Sequence, residues 1–123
     1  MSAKKKLLLV DDDETVLEYL DIKLRGEFDL IATQSAGEAL ALARERRPDL
    51  ILCDIDLPGM DGGDVSATLF AQAETQDIPL VFLTGLASPA DLKAKSNQLA
   101  GRPAISKQSP IEEIVARIRA ALA

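Results

Sequence analysis

Histidine and tryptophan are both absent from the 123 residues, and cysteine occurs once, at Cys53. Without histidine there is no imidazole general base, and most zinc sites are excluded. A lone cysteine excludes an internal disulfide. Aromatic residues make up only 3% of the chain, so the core must be built from Leu, Ile, Val and Ala. No apolar run approaches the roughly 18 to 20 residues a membrane helix needs. The basic start, Met1 to Lys6, is followed only by Leu7 to Val10 before three aspartates, which is not the pattern of a signal peptide. The expected location is therefore cytoplasmic, with no membrane partner. Excess positive charge is also lacking: the net charge is −6, which argues against direct nucleic-acid binding by this domain but leaves room for a partner domain that binds DNA. Lys4-Lys5-Lys6 reads as a solvated edge before the first strand.

What is present is an ordinary globular mixture, 47% apolar and 28% charged, of a length that makes residues 1–123 one domain. Short apolar runs alternate with amphipathic stretches. Leu7 to Val10, Leu30 to Thr33, Leu50 to Cys53, Leu80 to Thr84 and a short Ala104 to Ser106 read as strands. Between them, helices are expected from Thr15 to Arg25, closed by Gly26, and from a Ser35/Glu38 capping box to about Arg46. Further helices are expected from about Asp64 to Ala73, from Ser88-Pro89 to about Leu99, and from Ser109-Pro110 to the end. Strands this uniformly apolar are buried on both faces, as in a parallel sheet. The fold class is α/β, a doubly wound five-stranded parallel sheet with helices on both faces, and its ligands should sit beyond the carboxyl ends of the strands.

Four strand ends then converge on one edge. The first strand runs into Asp11-Asp12-Asp13, the third into Asp54, the fourth ends in Thr84, and Lys107 follows the fifth. Crowded carboxylates repel one another and would raise their own pKa values, and a divalent cation resolves the repulsion. Hard oxygen donors without Cys or His favour Mg²⁺. Lys107 and the metal could hold an added phosphoryl group, and Thr84 could donate a hydrogen bond to it. Asp13 reads as a cap for the first helix. Cys53 reads as a buried strand residue, and the loop Leu57 to Gly63 as a wall of the pocket.

Leu7 to Asp12, Pro48 to Asp54, Leu57-Pro58-Gly59-Met60-Asp61-Gly62, Ile78-Pro79 through Leu83-Thr84-Gly85, and Lys107 stand in an order and spacing that resemble the receiver domains of bacterial two-component response regulators. The resemblance covers essentially the whole chain. It implies a flavodoxin-like sheet of order 2-1-3-4-5 and a signalling switch rather than an enzyme. The switch would take a phosphoryl group from a histidine kinase, a phosphotransfer protein or a small phosphodonor, and would change the 84–99 surface to regulate a downstream protein or output domain. Residue by residue, it implies that Asp54 is the phosphoacceptor, that Asp12 ligates Mg²⁺ directly and Asp11 largely through water, and that the backbone carbonyl of Asp56 is the third protein ligand. Thr84 matches the switch hydroxyl and Lys107 the phosphate-binding lysine. Two positions depart from the family: Gln108 stands where a cis-proline is usual, and Ala104 where an aromatic swings inward on activation. With no ring at 104, the response is expected to stay in the loop 85–88 and the helix from Pro89. The outer face of the helix 109–122 could form a homodimer.

Two other function classes fit parts of the pattern. Asp54-Ile55-Asp56 has the nucleophile and acid spacing of haloacid-dehalogenase-type phosphatases, although there the motif looks like an early-strand feature of longer chains. A phosphorylation-independent interaction module with the same fold is kept open by Ala104 and Gln108, while Asp12, Asp54, Thr84 and Lys107 argue against it.

Overall fold

The computed structural model describes residues 4–123, so Met1 to Ala3 of the basic start lie outside the described residues. The elements follow in the order β1 (Lys5–Val10), α1 (Glu14–Leu24), β2 (Phe28–Thr33), α2 (Ala36–Arg46), β3 (Leu50–Cys53), α3 (Gly62–Phe70), β4 (Leu80–Thr84), α4 (Pro89–Lys93), β5 (Gln98–Leu99), β6 (Arg102–Ser106) and α5 (Ile111–Leu122). The sheet order is β2-β1-β3-β4-β6-β5, and β2, β1, β3, β4 and β6 are mutually parallel.

Successive residues of a strand point to opposite faces, and here both faces are buried. Leu8 and Val10, Ile51 and Cys53, Leu80 and Phe82, and Ala104 all face α2, α3 and α4, where Ala39, Ala43, Val65, Leu69 and Leu92 meet them. Their neighbours Leu7, Leu9, Leu50, Leu52, Val81, Leu83 and Ile105 face the other way, onto Leu17, Leu20 and Leu24 of α1 and Ile114 and Ile118 of α5. The sheet thus separates two apolar layers. This is why the central strands read as unbroken apolar runs rather than as alternating ones.

The α/β class and the spatial order of the five parallel strands match expectation. A sixth strand does not: β5, two residues long, pairs antiparallel with β6 as Gln98↔Pro103 and Leu99↔Arg102. It takes the place of the second half of a helix expected to reach about Leu99. Ser88 and Asp91 do form a reciprocal capping box with Pro89 in the first turn, but α4 stops at Lys93. Ser96 and Asn97 adopt left-handed backbone, φ 59° and 56°, and the Leu92 carbonyl accepts from the Lys95 and Asn97 N–H groups. Asparagine tolerates that region better than most residues, which ends the helix. Ala100 and Gly101, with φ 50° and 77°, then make a two-residue turn of the hand that suits a β-hairpin.

Smaller differences follow from capping. The Ser35 side chain accepts from the Glu38 N–H at 3.2 Å, but its own N–H goes to the Thr33 hydroxyl, so the bond back from Glu38 is not made. α3 begins two residues earlier than expected, at Gly62, because Asp61 caps it by accepting from the Asp64 N–H at 2.8 Å, and it ends at Phe70. Among the described residues no helix is long and apolar enough to cross a membrane.

Candidate functional site

The parallel register carries the carboxyl ends of β1, β3, β4 and β6 to one edge. Past the last paired residues, the Asp54 N–H donates to the Val10 carbonyl at 2.8 Å and the Lys107 N–H to the Thr84 carbonyl at 2.8 Å. These two bonds extend the sheet by one step and place Asp54 beside Asp11, and Lys107 beside Thr84. The Asp11, Asp12 and Asp54 carboxylates come together, with one oxygen from each lying within 4.8 Å of the others. Asp11 and Asp54 are buried and Asp12 is exposed, so the cluster opens to solvent on the Asp12 side.

Lys107 crosses the pocket floor. Its Nζ lies 2.7 Å from Asp11 Oδ2 and 3.3 Å from Asp54 Oδ2. The remaining carboxylate oxygens of the buried pair take backbone donors: Asp13 N–H to Asp11 Oδ1 at 2.9 Å and Asp56 N–H to Asp54 Oδ1 at 3.3 Å. Burial, and then the negative charge of Asp11, push the Asp54 carboxyl above its usual range against the opposing pull of Lys107. For Lys107, burial alone would lower the pKa. The hydrogen bond and charge of Asp11, with Asp54 behind it, outweigh burial and hold the ammonium above its ordinary value. Burial also pushes the Cys53 thiol up to about 12, helped by Asp54 and Asp11, so Cys53 is a packed strand residue and not a nucleophile.

Three carboxylates facing one ammonium leave an excess of two negative charges in the pocket. The donor set is all oxygen, two members are fixed by backbone bonds, and one side is open. That set fits Mg²⁺, which takes a few carboxylate oxygens and keeps several waters.

The remaining expected residues divide. Thr84 is fully buried, and its hydroxyl is engaged locally, accepting from the Leu86 N–H at 3.0 Å. Asp56 is exposed and its carboxylate stands outside the cluster of three, with its N–H turned to Asp54. Asp13 caps α1 by accepting from the Thr15 N–H at 2.9 Å. Two residues to which the sequence analysis gave no individual role, one of them inside the loop read as a wall of the pocket, also shape the site. Gly62 brings the start of α3 against the acceptor strand: its N–H donates to the Ile55 carbonyl at 2.8 Å, and a Cβ there would lie 2.5 Å from the Asp54 carbonyl oxygen and 2.7 Å from Ile55 Cα. Ser106, directly before Lys107, donates its hydroxyl to the Ala87 carbonyl at 2.8 Å. In the sequence, the only signals for these two were a second glycine in the loop after Asp54 and a hydroxyl beside the lysine.

Comparison with known proteins points the same way. The family model described as "response regulator receiver domain" matches residues 7–119. The DNA-binding response regulator MtrA of Mycolicibacterium smegmatis is 39% identical over 120 residues, which is 97% of this chain and 51% of that protein. The chain thus spans about half the length of the curated relatives it matches first. A crystal structure described as a putative response regulator from Chloroflexus aurantiacus superposes with a TM-score of 0.84 at 31% identity, covering 98% of each chain. The receiver domain of the sensor histidine kinase PA1611 from Pseudomonas aeruginosa superposes with a TM-score of 0.83 at 24% identity, covering 98% of each chain; that structure is described as holding a magnesium ion coordinated in its active-site cleft.

Proposed function

Because the chain belongs to the response regulator receiver domain family, the phosphoacceptor switches of two-component signalling, we propose that Asp54 is the residue that accepts the phosphoryl group. The observation that carries this is the convergence of Asp54 with Asp11, Asp12 and Lys107 at one sheet edge. One Asp54 carboxylate oxygen attacks the phosphorus of a phosphohistidine, on a histidine kinase or phosphotransfer protein, or of a small acyl phosphate. The bond from phosphorus to the leaving nitrogen or oxygen breaks, its electron pair stays on that atom, and an aspartyl phosphate results. The upward push on the Asp54 pKa makes its ionised form a more basic nucleophile.

Asp11, Asp12, Asp54 and the backbone carbonyl of Asp56 would hold Mg²⁺, which when bound supplies positive charge against the transferring phosphoryl oxygens. Lys107 is already within ion-pair reach of Asp54 and shifts from carboxylate to phosphate oxygen as negative charge accumulates. The Thr84 hydroxyl, which accepts from the Leu86 N–H and still has its proton to give, turns to donate that proton to a phosphate oxygen, and the surface from 84 to 99 carries the change to a downstream protein or output domain. Residues 1–123 make up one such domain in the cytoplasm, acting on no substrate beyond its own phosphoryl group. DNA binding, as in the name of the MtrA relatives, would belong to a partner domain.

The test is incubation with acetyl phosphate and Mg²⁺. The wild-type chain should gain one hydroxylamine-labile phosphoryl group and Asp54→Asn none, with its fold intact by amide NMR. Undiminished labelling of Asp54→Asn removes the assignment. Turnover of a general phosphatase substrate would favour the dehalogenase-type reading instead.

A further inference from the structure

Ser106 ends β6 and is buried, with 1% of its surface exposed. Its hydroxyl donates to the Ala87 carbonyl, in the loop between β4 and α4, and accepts from the Gln108 N–H at 3.1 Å. A hydroxyl has one proton to give and lone pairs to receive, so one oxygen joins that loop to the backbone on both sides of Lys107. Gln108 can take part because it has an N–H, which proline would lack. The same loop is tied at its other end, where the Lys107 N–H donates to the Thr84 carbonyl. Gly85 packs on the same lysine: a Cβ built there would meet Lys107 Cδ at 3.5 Å. Residues 84–87 are therefore strapped to the segment bearing Lys107 at both ends.

We propose that Ser106 is a positioning residue for the switch, a latch that holds the 84–88 loop in its unphosphorylated arrangement and links it to Lys107. This rests on the phosphoacceptor reading of Asp54. The Thr84 hydroxyl accepts from the Leu86 N–H and keeps its proton for a phosphoryl oxygen, so a turn toward the phosphoryl group draws Leu86 with it, and the next residue, Ala87, is the one Ser106 grips. Movement of the loop stretches that bond, so the bond favours the resting state alone. Ala104, buried on the same face of β6 two residues earlier, offers no ring for this coupling, and Ser106 supplies a polar one in its place. Deleting the hydroxyl shifts the population toward the switched loop by about fivefold, the factor that one net hydrogen bond supplies.

The experiment uses the full chain at saturating Mg²⁺ and titrates beryllofluoride as the phosphoryl mimic, following the Gly85 and Leu86 amides by NMR. Ser106→Ala should lower the half-saturating concentration about fivefold, while half-saturation by Mg²⁺ alone stays at the wild-type value. A residue that merely stabilises the fold would leave the first quantity unchanged or raise it, and either result overturns the latch. Ser106→Thr keeps the hydroxyl and should behave as wild type; if it follows the alanine variant, the hydroxyl is not the cause. In wild type alone, the Ala87 carbonyl ¹³C resonance must shift on saturation, and an unmoved resonance also overturns the latch. A wild-type protein that shows no response to the mimic at any of the site residues instead removes the phosphoacceptor reading on which the latch stands.

Discussion

Asp54 illustrates how a single side chain can be held in a state that costs stability. Its carboxyl titrates above the usual value of 3.8 because it is buried beside Asp11. Between 3.8 and the raised value the folded protein therefore binds more protons than the unfolded chain, and stability falls as pH rises through that window. Lys107 is shifted in the sense that stabilises the fold, and its stabilisation is lost only as pH rises above its ordinary 10.5, so the two windows are separate. Metal-free Asp54→Asn should accordingly melt at a higher temperature than wild type at neutral pH, with the difference closing below pH 3.8. Thermal midpoints measured across pH in a chelator check this, and a wild-type protein that is the more stable at neutral pH refutes it. That Asp11, Asp12, Asp54, Thr84 and Lys107 share one sheet edge was legible in the sequence because each follows or ends a short apolar run, and parallel strands send such ends to one edge. The direction of the Thr84 hydroxyl was not, since it depends on a bond to Leu86 two residues on. Ser106 carried no periodic signature and could be recognised only once the β4–α4 loop lay beside it.

At the scale of elements, caps and apolar periodicity located the helices to within a few residues, and the central strands lie where the apolar runs fall. The segment after α4 is the exception. Leu92 and Leu99 are seven residues apart, a helical interval, but backbone conformation at Ser96, Asn97 and Ala100 decides the outcome, and side-chain polarity does not report it. Ala100 also departs from the usual chemistry of its turn. At φ 50° it occupies a region that costs an L-residue with a Cβ about 1 kcal/mol or more, and asparagine is better suited there ahead of Gly101. Ala100→Asn should raise stability by about 0.5–1 kcal/mol, read as a higher urea midpoint at unchanged slope. A lower midpoint would mean that the turn does not have this backbone conformation.

For the whole molecule, the excess negative charge at the strand ends couples ligand binding to folding, since a carboxylate cluster that is repulsive when empty becomes cohesive once a divalent ion is bound. Mg²⁺ at ten times its dissociation constant should stabilise the chain by about 1.4 kcal/mol. Asp12→Asn, at the open side of the cluster, should lose most of that increment while remaining folded without metal. Melting curves with and without Mg²⁺ decide the matter: an equal increment in both proteins would place the ion elsewhere. The hairpin at the far side of the sheet acts on a different hazard. An unpaired parallel strand offers backbone donors and acceptors to any neighbouring chain, and that is how soluble proteins begin to form fibrils. On β6 that offer is withdrawn: β5 covers Arg102 and Pro103, the Ala104 N–H donates to the Asn97 carbonyl, and Arg117 reaches over from α5 to donate to the Ala104 carbonyl at 3.2 Å. The edge left on that side is β5, only two residues long, and at the opposite edge, β2, the exposed charge of Asp29 discourages strand addition.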